Sequence, residues 1–239
     1  MIAVILAAGM SKRMRPLTNT FPKCLLPIHG ETLLSRYLDL LEEVGITDVL
    51  IVVGFNTQAV RDEAYKKTRR INIHITENTA YESTHPIESF LLAESFITTD
   101  FLLLNSDLYF PVDVLRRLIV SKNSSIAINS HAAFVPDEMF VNYMPNMQVT
   151  AISKKLMPLS EGQGKSVQIA KFLYGDRKDL FERARALAGQ ADMFYPTEAY
   201  DTLIKAGRFF AVDMAGIFTH ELDTVEDYEI LLKQIHTSA

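Results

Sequence analysis

Four short apolar runs set the strongest limit on how this 239-residue chain can fold. IAVIL (2–6), DVLIVVG (48–54), INIHITEN (71–78) and DFLLLNSD (100–107) have the composition of strands, and the first two are apolar with little alternation. A strand buried on both faces reads this way, because helices cover both sides of a parallel sheet. Helical patterns fill the intervals. In ETLLSRYLDLLEEV (31–44), Leu33, Leu34, Tyr37, Leu38, Leu41 and Val44 form one stripe, and Gly45 stops it. TQAVRDEAYKK (57–67) is polar and helical, and PIESFLLAESF (86–96) opens with Pro86 at a favourable first position. This alternation predicts an α/β chain with a mostly parallel sheet and helices on both faces.

After about residue 120 the rhythm changes. SSIAINSHAAF, QVTAISKKL and VQIAKFLYG read as strands, followed by helical DRKDLFERARALA and PTEAYDTLIKAG. FFAVDMAG and IFTHEL are late strands, and TVEDYEILLKQI is a closing helix. No repeat or linker divides the chain, so residues 1–239 read as one domain whose second half adds a smaller mixed α+β lobe. The net charge of −5 leaves no basic excess for wrapping nucleic acid. One cysteine, Cys24, permits no intramolecular disulfide and suits a reducing compartment. MIAVILAAG is too short to span a bilayer and lacks the basic leader of a secretory signal, so the expectation is a soluble cytoplasmic protein with no membrane partner, monomeric or homodimeric.

The most informative loop is LAAGMSKRMRPLTNTFPK (6–23), which follows the first apolar run. Ligands of open α/β sheets bind at the carboxyl ends of strands. Ala7, Ala8 and Gly9 let backbone approach a ligand closely, and successive N–H groups can cradle an anion. Arg13, Arg15 and Lys23 supply positive charge, while Pro16 and Pro22 stiffen the segment. Ala-Ala-Gly alone would rather suit a solvated loop. The dinucleotide fingerprint Gly-x-Gly-x-x-Gly is absent. EGQGKS (161–166) ends like a phosphate-binding loop, but its first glycine position holds Leu159 and VQIAKF follows as a strand, so a hairpin turn is expected there. Two acids fall where chemistry would need them. Asp107 ends a strand, as a metal ligand or as a turn cap. Asp223 precedes the closing helix, as a metal ligand or as its N-cap with Glu226 completing a capping box.

The string Leu6, Ala7, Ala8, Gly9, Arg13, Pro16, Leu17, Thr18, Pro22 and Lys23 resembles the signature of the nucleotidyltransferases that activate sugar phosphates and related phospho-alcohols. Ser11 stands where that signature usually has a second glycine. The resemblance implies a Rossmann-like fold, with a nucleotide-binding half over about 1–120 and an acceptor-binding half over about 121–239. It implies that Leu6, Ala7, Ala8, Gly9, Met10 and Ser11 wrap a nucleoside triphosphate, and that Arg13 and Lys23 act catalytically on its phosphates. Asn78, His85, Ser89 and Ser106 would complete nucleotide binding, and Asp107 and Asp223 would hold Mg²⁺. The whole-chain pattern is most similar to the small cytidylyltransferases of the phosphocholine and aminoethylphosphonate type, which places Lys154, Asp192 and Tyr195 at the acceptor; Lys155 and Lys171 are further candidates for its phosphate. Met139 occupies a position where an aromatic cage would have tryptophan, and the chain has no tryptophan. The implied reaction joins CTP to a small phosphorylated or phosphonate acceptor with release of pyrophosphate. A sugar-1-phosphate enzyme using UTP, dTTP or GTP, or a non-catalytic nucleotide-binding protein, would carry many of the same residues.

Overall fold

All four apolar runs become strands of one sheet. The computed structural model of the chain describes residues 1–135, 138–156, 162–190 and 195–237. In chain order the elements are β1 (Ile2–Ala7), β2 (Pro27–Ile28), β3 (Glu31–Thr32), α1 (Leu33–Glu43), β4 (Asp48–Val53), α2 (Thr57–Lys66), β5 (Asn72–Glu77), α3 (Pro86–Leu91), β6 (Phe101–Asn105), β7 (Leu108–Tyr109) and α4 (Val112–Ile119). The second half follows with β8 (Ser124–Asn129), β9 (Phe140–Tyr143), β10 (Val149–Ser153), β11 (Gln163–Phe172), α5 (Arg177–Leu187), α6 (Asp201–Lys205), β12 (Phe209–Asp213), β13 (His220–Glu221) and α7 (Val225–Thr237). Among the described residues no helix is long and apolar enough to cross a membrane.

The main sheet runs β10-β9-β11-β6-β1-β4-β5, with β8 attached to β11 and β12 to β8. β5, β4, β1 and β6 are parallel, with Ile2 opposite both Asp48 and Phe101. The sheet is not parallel throughout: β11 joins β6 antiparallel, and β8 and β9 join β11 antiparallel. Side chains alternate across a strand, so β1 serves two apolar layers. Ala3, Ile5 and Ala7 pack with Leu38 of α1, Val60 of α2, Leu115 of α4 and Leu231 of α7. Ile2 and Val4 pack with Phe90 of α3, Phe181 of α5 and Leu203 of α6. Burial on both faces explains why β1 and β4 show no polar alternation.

From β1 the chain winds outward through β4 to β5, then returns through α3 to β6 on the other side of β1. Strand order therefore reverses at β1, and a crevice opens beyond the carboxyl ends of β1 and β6. Two expectations are corrected. The helix over 86–96 ends at Leu91, and a short 3₁₀ turn covers Glu94–Phe96. Ile87, Phe90 and Ala93 are all fully buried, and that three-residue spacing suits the tighter 3₁₀ winding near the end. Gln163–Ser166 form no turn but the start of β11. A Cβ at Gly164 would lie 2.9 Å from Ile128, so this glycine serves close strand packing rather than a phosphate.

Candidate active site

The chain leaves β1 at Ala7 and turns beneath the crevice. Ser11 adopts the left-handed conformation (φ 49°), and its carbonyl accepts a 2.8 Å hydrogen bond from the buried hydroxyl of Thr18. Met14 is fully buried and anchors the loop from below. Gly54, which the sequence reading did not single out, lies directly against this loop. A Cβ there would lie 2.7 Å from the Ala8 carbonyl and 2.6 Å from Cβ of Tyr81. Only a residue without a side chain lets the end of β4, the loop after β1 and the Tyr81 segment meet so closely.

Two small strands bring the distant acids together. His220 pairs with Tyr109 and Glu221 with Leu108, and the Leu222 N–H donates to the Asp107 carbonyl at 2.8 Å. Asp107 and Asp223 therefore face the same cation. Lys23 Nζ lies 3.1 Å from Asp107 Oδ2 and 3.0 Å from Asp223 Oδ1, and Arg13 lies 3.0 Å from Asp223 Oδ2. Burial alone would depress the Lys23 ammonium, but the charges of Asp107 and Asp223 outweigh it and hold its pKa above the ordinary lysine value. Burial would raise Asp223, yet Lys23 and Arg13 hold it below the usual carboxylate range.

Asp223 is not the helix cap. Thr224 Oγ1 accepts the Asp227 N–H at 3.2 Å, and Asp227 Oδ2 accepts the Thr224 N–H at 2.8 Å and the Asp223 N–H at 3.0 Å. The reciprocal capping pair is thus Thr224 and Asp227, not Asp223 and Glu226, which leaves the Asp223 carboxylate free to face the crevice. Glu221 is a third acid that sequence reasoning missed. One carboxylate oxygen from each of Asp107, Glu221 and Asp223 lies within 4.8 Å of the others. Burial, and then the charges of Asp107 and Asp223, push Glu221 up to about 7. Asp107 Oδ1 is buried without a hydrogen-bond partner among the described residues. An unpartnered carboxylate oxygen beside two more acids fits a hard divalent cation such as Mg²⁺, which prefers oxygen donors.

These groups line a cleft of about 430 Å³, within the range of small-molecule sites. Leu6, Ala7, Ala8, Gly9, Ser11, Arg13, Lys23, Asn78, His85, Ser89, Ser106, Asp107, Lys154, Tyr195 and Asp223 all border it. Met10 does not, and Asp192 lies outside the described residues. Asn78 donates to Ser89 Oγ at 3.0 Å, so these two buried residues brace one another. The His85 N–H is bonded by Glu88 at 2.9 Å at the start of α3. Lys154 sits over the Tyr195 ring, 5.5 Å from its centre, which joins two residues expected at the acceptor. Lys171 is ruled out as an acceptor ligand: its ammonium is buried and donates to the carbonyls of Ile119 and Ser121. Lys165, paired with Glu138, takes the place in the cleft that sequence had offered to Lys171.

A family model described as the MobA-like NTP transferase domain matches residues 3–194. CMP-5'-(3-aminopropyl)phosphonate synthase of Streptomyces rubellomurinus is 35% identical over 123 residues, which is 52% of this chain and 20% of that relative's length. CTP:phosphoglutamine cytidylyltransferase of Campylobacter jejuni is 21% identical over 259 residues, covering 98% of this chain and 100% of its own. Among solved structures, UDP-glucose pyrophosphorylase complexed with UDP-glucose shares the fold with a TM-score of 0.82 at 18% identity, over 100% of both chains.

Proposed function

The chain belongs to the MobA-like NTP transferase family, and from that premise we propose that it transfers a cytidylyl group from CTP to a small phosphorylated or phosphonate acceptor. An acceptor oxygen forms a bond to the α-phosphorus of CTP as the bond from that phosphorus to the bridging oxygen of the β-phosphate breaks, and pyrophosphate leaves. Phosphate and phosphonate oxygens are already ionised near neutral pH, so no general base is required. What remains is charge and orientation. Arg13 and Lys23 stand at the loop after β1, where they neutralise the triphosphate and the charge that develops on the leaving group. Small residues from Ala7 to Gly9 let backbone N–H groups reach phosphate oxygens. Lys154, Lys165 and Tyr195 also line the cleft and orient the acceptor.

Asp107 and Asp223, with Glu221 beside them, would hold Mg²⁺, which when bound screens the repulsion between the two anionic reactants. The observation that carries this reading is the meeting of Asp107 and Asp223 on Lys23, directly facing the loop after β1. The choice of CTP draws on relatives whose names specify cytidylyl chemistry, one of them matched along its whole length.

A pyrophosphate-release screen tests the proposal. CTP, UTP, dTTP, GTP and ATP are crossed with phosphocholine, aminoethylphosphonate, inositol phosphate, amino-acid phosphates and sugar 1-phosphates. Release with CTP and a small phospho-acceptor is expected, with Asp107→Ala inactive yet folded. Release only with another nucleotide and a sugar 1-phosphate would overturn the cytidylyl assignment, and nucleotide binding without any release would overturn catalysis.

A further inference from the structure

We infer that Asn78 is a positioning residue that fixes the direction of the Ser89 hydroxyl, and that this direction makes the cleft select a base with a bare ring nitrogen, cytosine, over uracil and thymine. The inference rests on the proposed nucleotide site and concerns the end of it that takes the base. Asn78, Tyr81, Thr84, Pro86 and Ser89 border the cleft, and none of them carries a formal charge. Gly54 brings Tyr81 close to the Ala8 carbonyl, so this wall is continuous with the loop after β1. Phosphates belong with Arg13 and Lys23 further along that loop; an uncharged wall beside it suits a neutral heterocycle.

Asn78 is buried, and both protons of its amide are spent inside the protein. The Ala80 N–H donates to Asn78 Oδ1 at 3.1 Å, and a backbone N–H can only donate, so the amide has one orientation. Its NH₂ group then donates to Thr84 Oγ1 at 2.9 Å and to Ser89 Oγ at 3.0 Å. Thr84 passes its own proton to the Ala80 carbonyl at 3.0 Å. Ser89 has no such outlet. Its oxygen accepts from Asn78, and among the described residues no group accepts its proton. A buried polar group left unpaired is rare in folded proteins, and Ser89, 5% exposed, borders the cleft. A base that accepts from this hydroxyl satisfies it. A base that donates to it leaves the buried proton unpaired, at a cost. Cytosine has a bare N3 on its pairing edge, where uracil and thymine carry N3–H. Asn78 thus acts on the base through Ser89 and has no donor left with which to touch it.

Calorimetric titration of CTP, UTP and 3-deaza-CTP at pH 8 in excess MgCl₂ tests this, with melting temperatures measured beside it. Wild type is expected to bind CTP roughly tenfold or more tighter than UTP, and also than 3-deaza-CTP, which has C–H in place of N3. In Asn78→Asp the carboxylate still accepts the Ala80 N–H but can only accept from Ser89, so the hydroxyl turns away from the cleft and presents its lone pair there. The added charge weakens both nucleotides alike, so the readout is their ratio, which a merely structural role would not move. UTP is expected to bind this variant at least as tightly as CTP. Ser89→Ala keeps the other bonds of Asn78 and is expected to bring the two affinities within about twofold of each other; it decides the matter if the aspartate variant fails to fold. An unchanged preference for CTP in either folded variant, or 3-deaza-CTP bound as tightly as CTP, would overturn the inference and leave the cytidylyl reading intact. A wild-type protein that binds UTP as tightly as CTP would overturn both.

Discussion

Replacing Lys23 with methionine removes one charge from a cluster in which Arg13 and Lys23 stand against Asp107, Glu221 and Asp223. Methionine keeps the unbranched stem, so the change is close to a deletion of the ammonium alone. Two charge-assisted hydrogen bonds disappear, at 3.1 and 3.0 Å. Each such bond is worth roughly 1.5–3 kcal/mol when well buried. The Lys23 side chain is 10% exposed, but its two partners are 22% and 27% exposed, which brings the total toward the lower end. A loss of about 2–4 kcal/mol follows, or a fall of about 5–15 °C in melting temperature for a chain of this size. The lysine pKa is raised on folding, so its contribution is fully present below the unfolded value near 10.5 and fades only as pH rises through the higher folded value. On the acid side, Asp223 is lowered, so its share is present above the unfolded value near 3.8 and is lost as pH falls through the folded one. The shares of Lys23 and Asp223 in the deficit are therefore flat across neutral pH. Magnesium narrows the difference. At 100 times its dissociation constant a divalent ion adds about 2.7 kcal/mol, and in the variant it need not displace an ammonium from the same oxygens. Calorimetric melting in EDTA and in excess MgCl₂ should show a larger magnesium-induced rise in Lys23→Met than in wild type, while turnover falls about 10²- to 10³-fold. Melting within about 1 °C of wild type in EDTA would refute the energetics of the cluster. Equal magnesium shifts would refute the competition between Lys23 and the metal.

Other perturbations test separate parts of the argument. Gly54→Ala puts a Cβ 2.6 Å from Tyr81 Cβ and 2.7 Å from the Ala8 carbonyl, so urea unfolding should show a loss of about 1–3 kcal/mol from overpacking together with a raised KM for nucleotide as the loop after β1 is displaced. Asp39 is hydrogen-bonded by Lys67 at 2.6 Å and by the buried Arg69 at 2.8 Å; burial alone would raise its pKa, but these bonds hold it below the ordinary value. Its stabilisation is present above the unfolded value near 3.8 and lost as pH falls through the folded one, so the melting deficit of Asp39→Asn, roughly 1–2 kcal/mol at pH 7, should shrink toward zero below that range. Cys24 is 1% exposed and burial pushes its thiol up to about 12, so iodoacetamide at pH 8 should label it only after denaturation, as read by mass spectrometry.

The strands that could be read from the sequence are those whose burial leaves a local trace. β1 and β4 are covered by helices on both faces, and each residue reports that environment by itself. β9 is four residues, FVNY, half apolar and half polar, and takes its place only between its antiparallel partners β10 and β11. The antiparallel join of β11 to β6 was equally hidden, since strand direction is set by the connection between strands rather than by any pattern within Gln163–Phe172. The glycines of GQGKS suggested a hairpin turn, because a glycine in a sequence records only that the backbone is unhindered and not what it adjoins. Here Gly164 meets the side chain of Ile128.

The cleft shows the same division at higher stakes. Arg13 and Lys23 were legible because the loop after β1 carries its small residues, prolines and cations within one short string. Asp107 was legible as an acid that follows a strand. Glu221 was not, because it belongs to a strand of two residues whose pairing with Leu108 and Tyr109 leaves no periodicity to detect. Yet that same ladder, with the Leu222 N–H on the Asp107 carbonyl, is what sets Asp223 opposite Asp107. Asp223 itself was ambiguous, since an acid before a helix is usually its cap. The ambiguity is resolved four residues later, where Asp227 accepts the N–H groups of both Asp223 and Thr224 and so relieves Asp223 of the capping role. A short polar side chain can satisfy a helix terminus or face a ligand, and which it does depends on whether a neighbour has already satisfied the terminus. Substituting Asp227 therefore acts on the acid cluster indirectly: without it, the N–H groups of Asp223 and Thr224 lose their acceptor, and Asp227→Ala should lower the melting temperature and weaken the pair of Asp223 with Lys23.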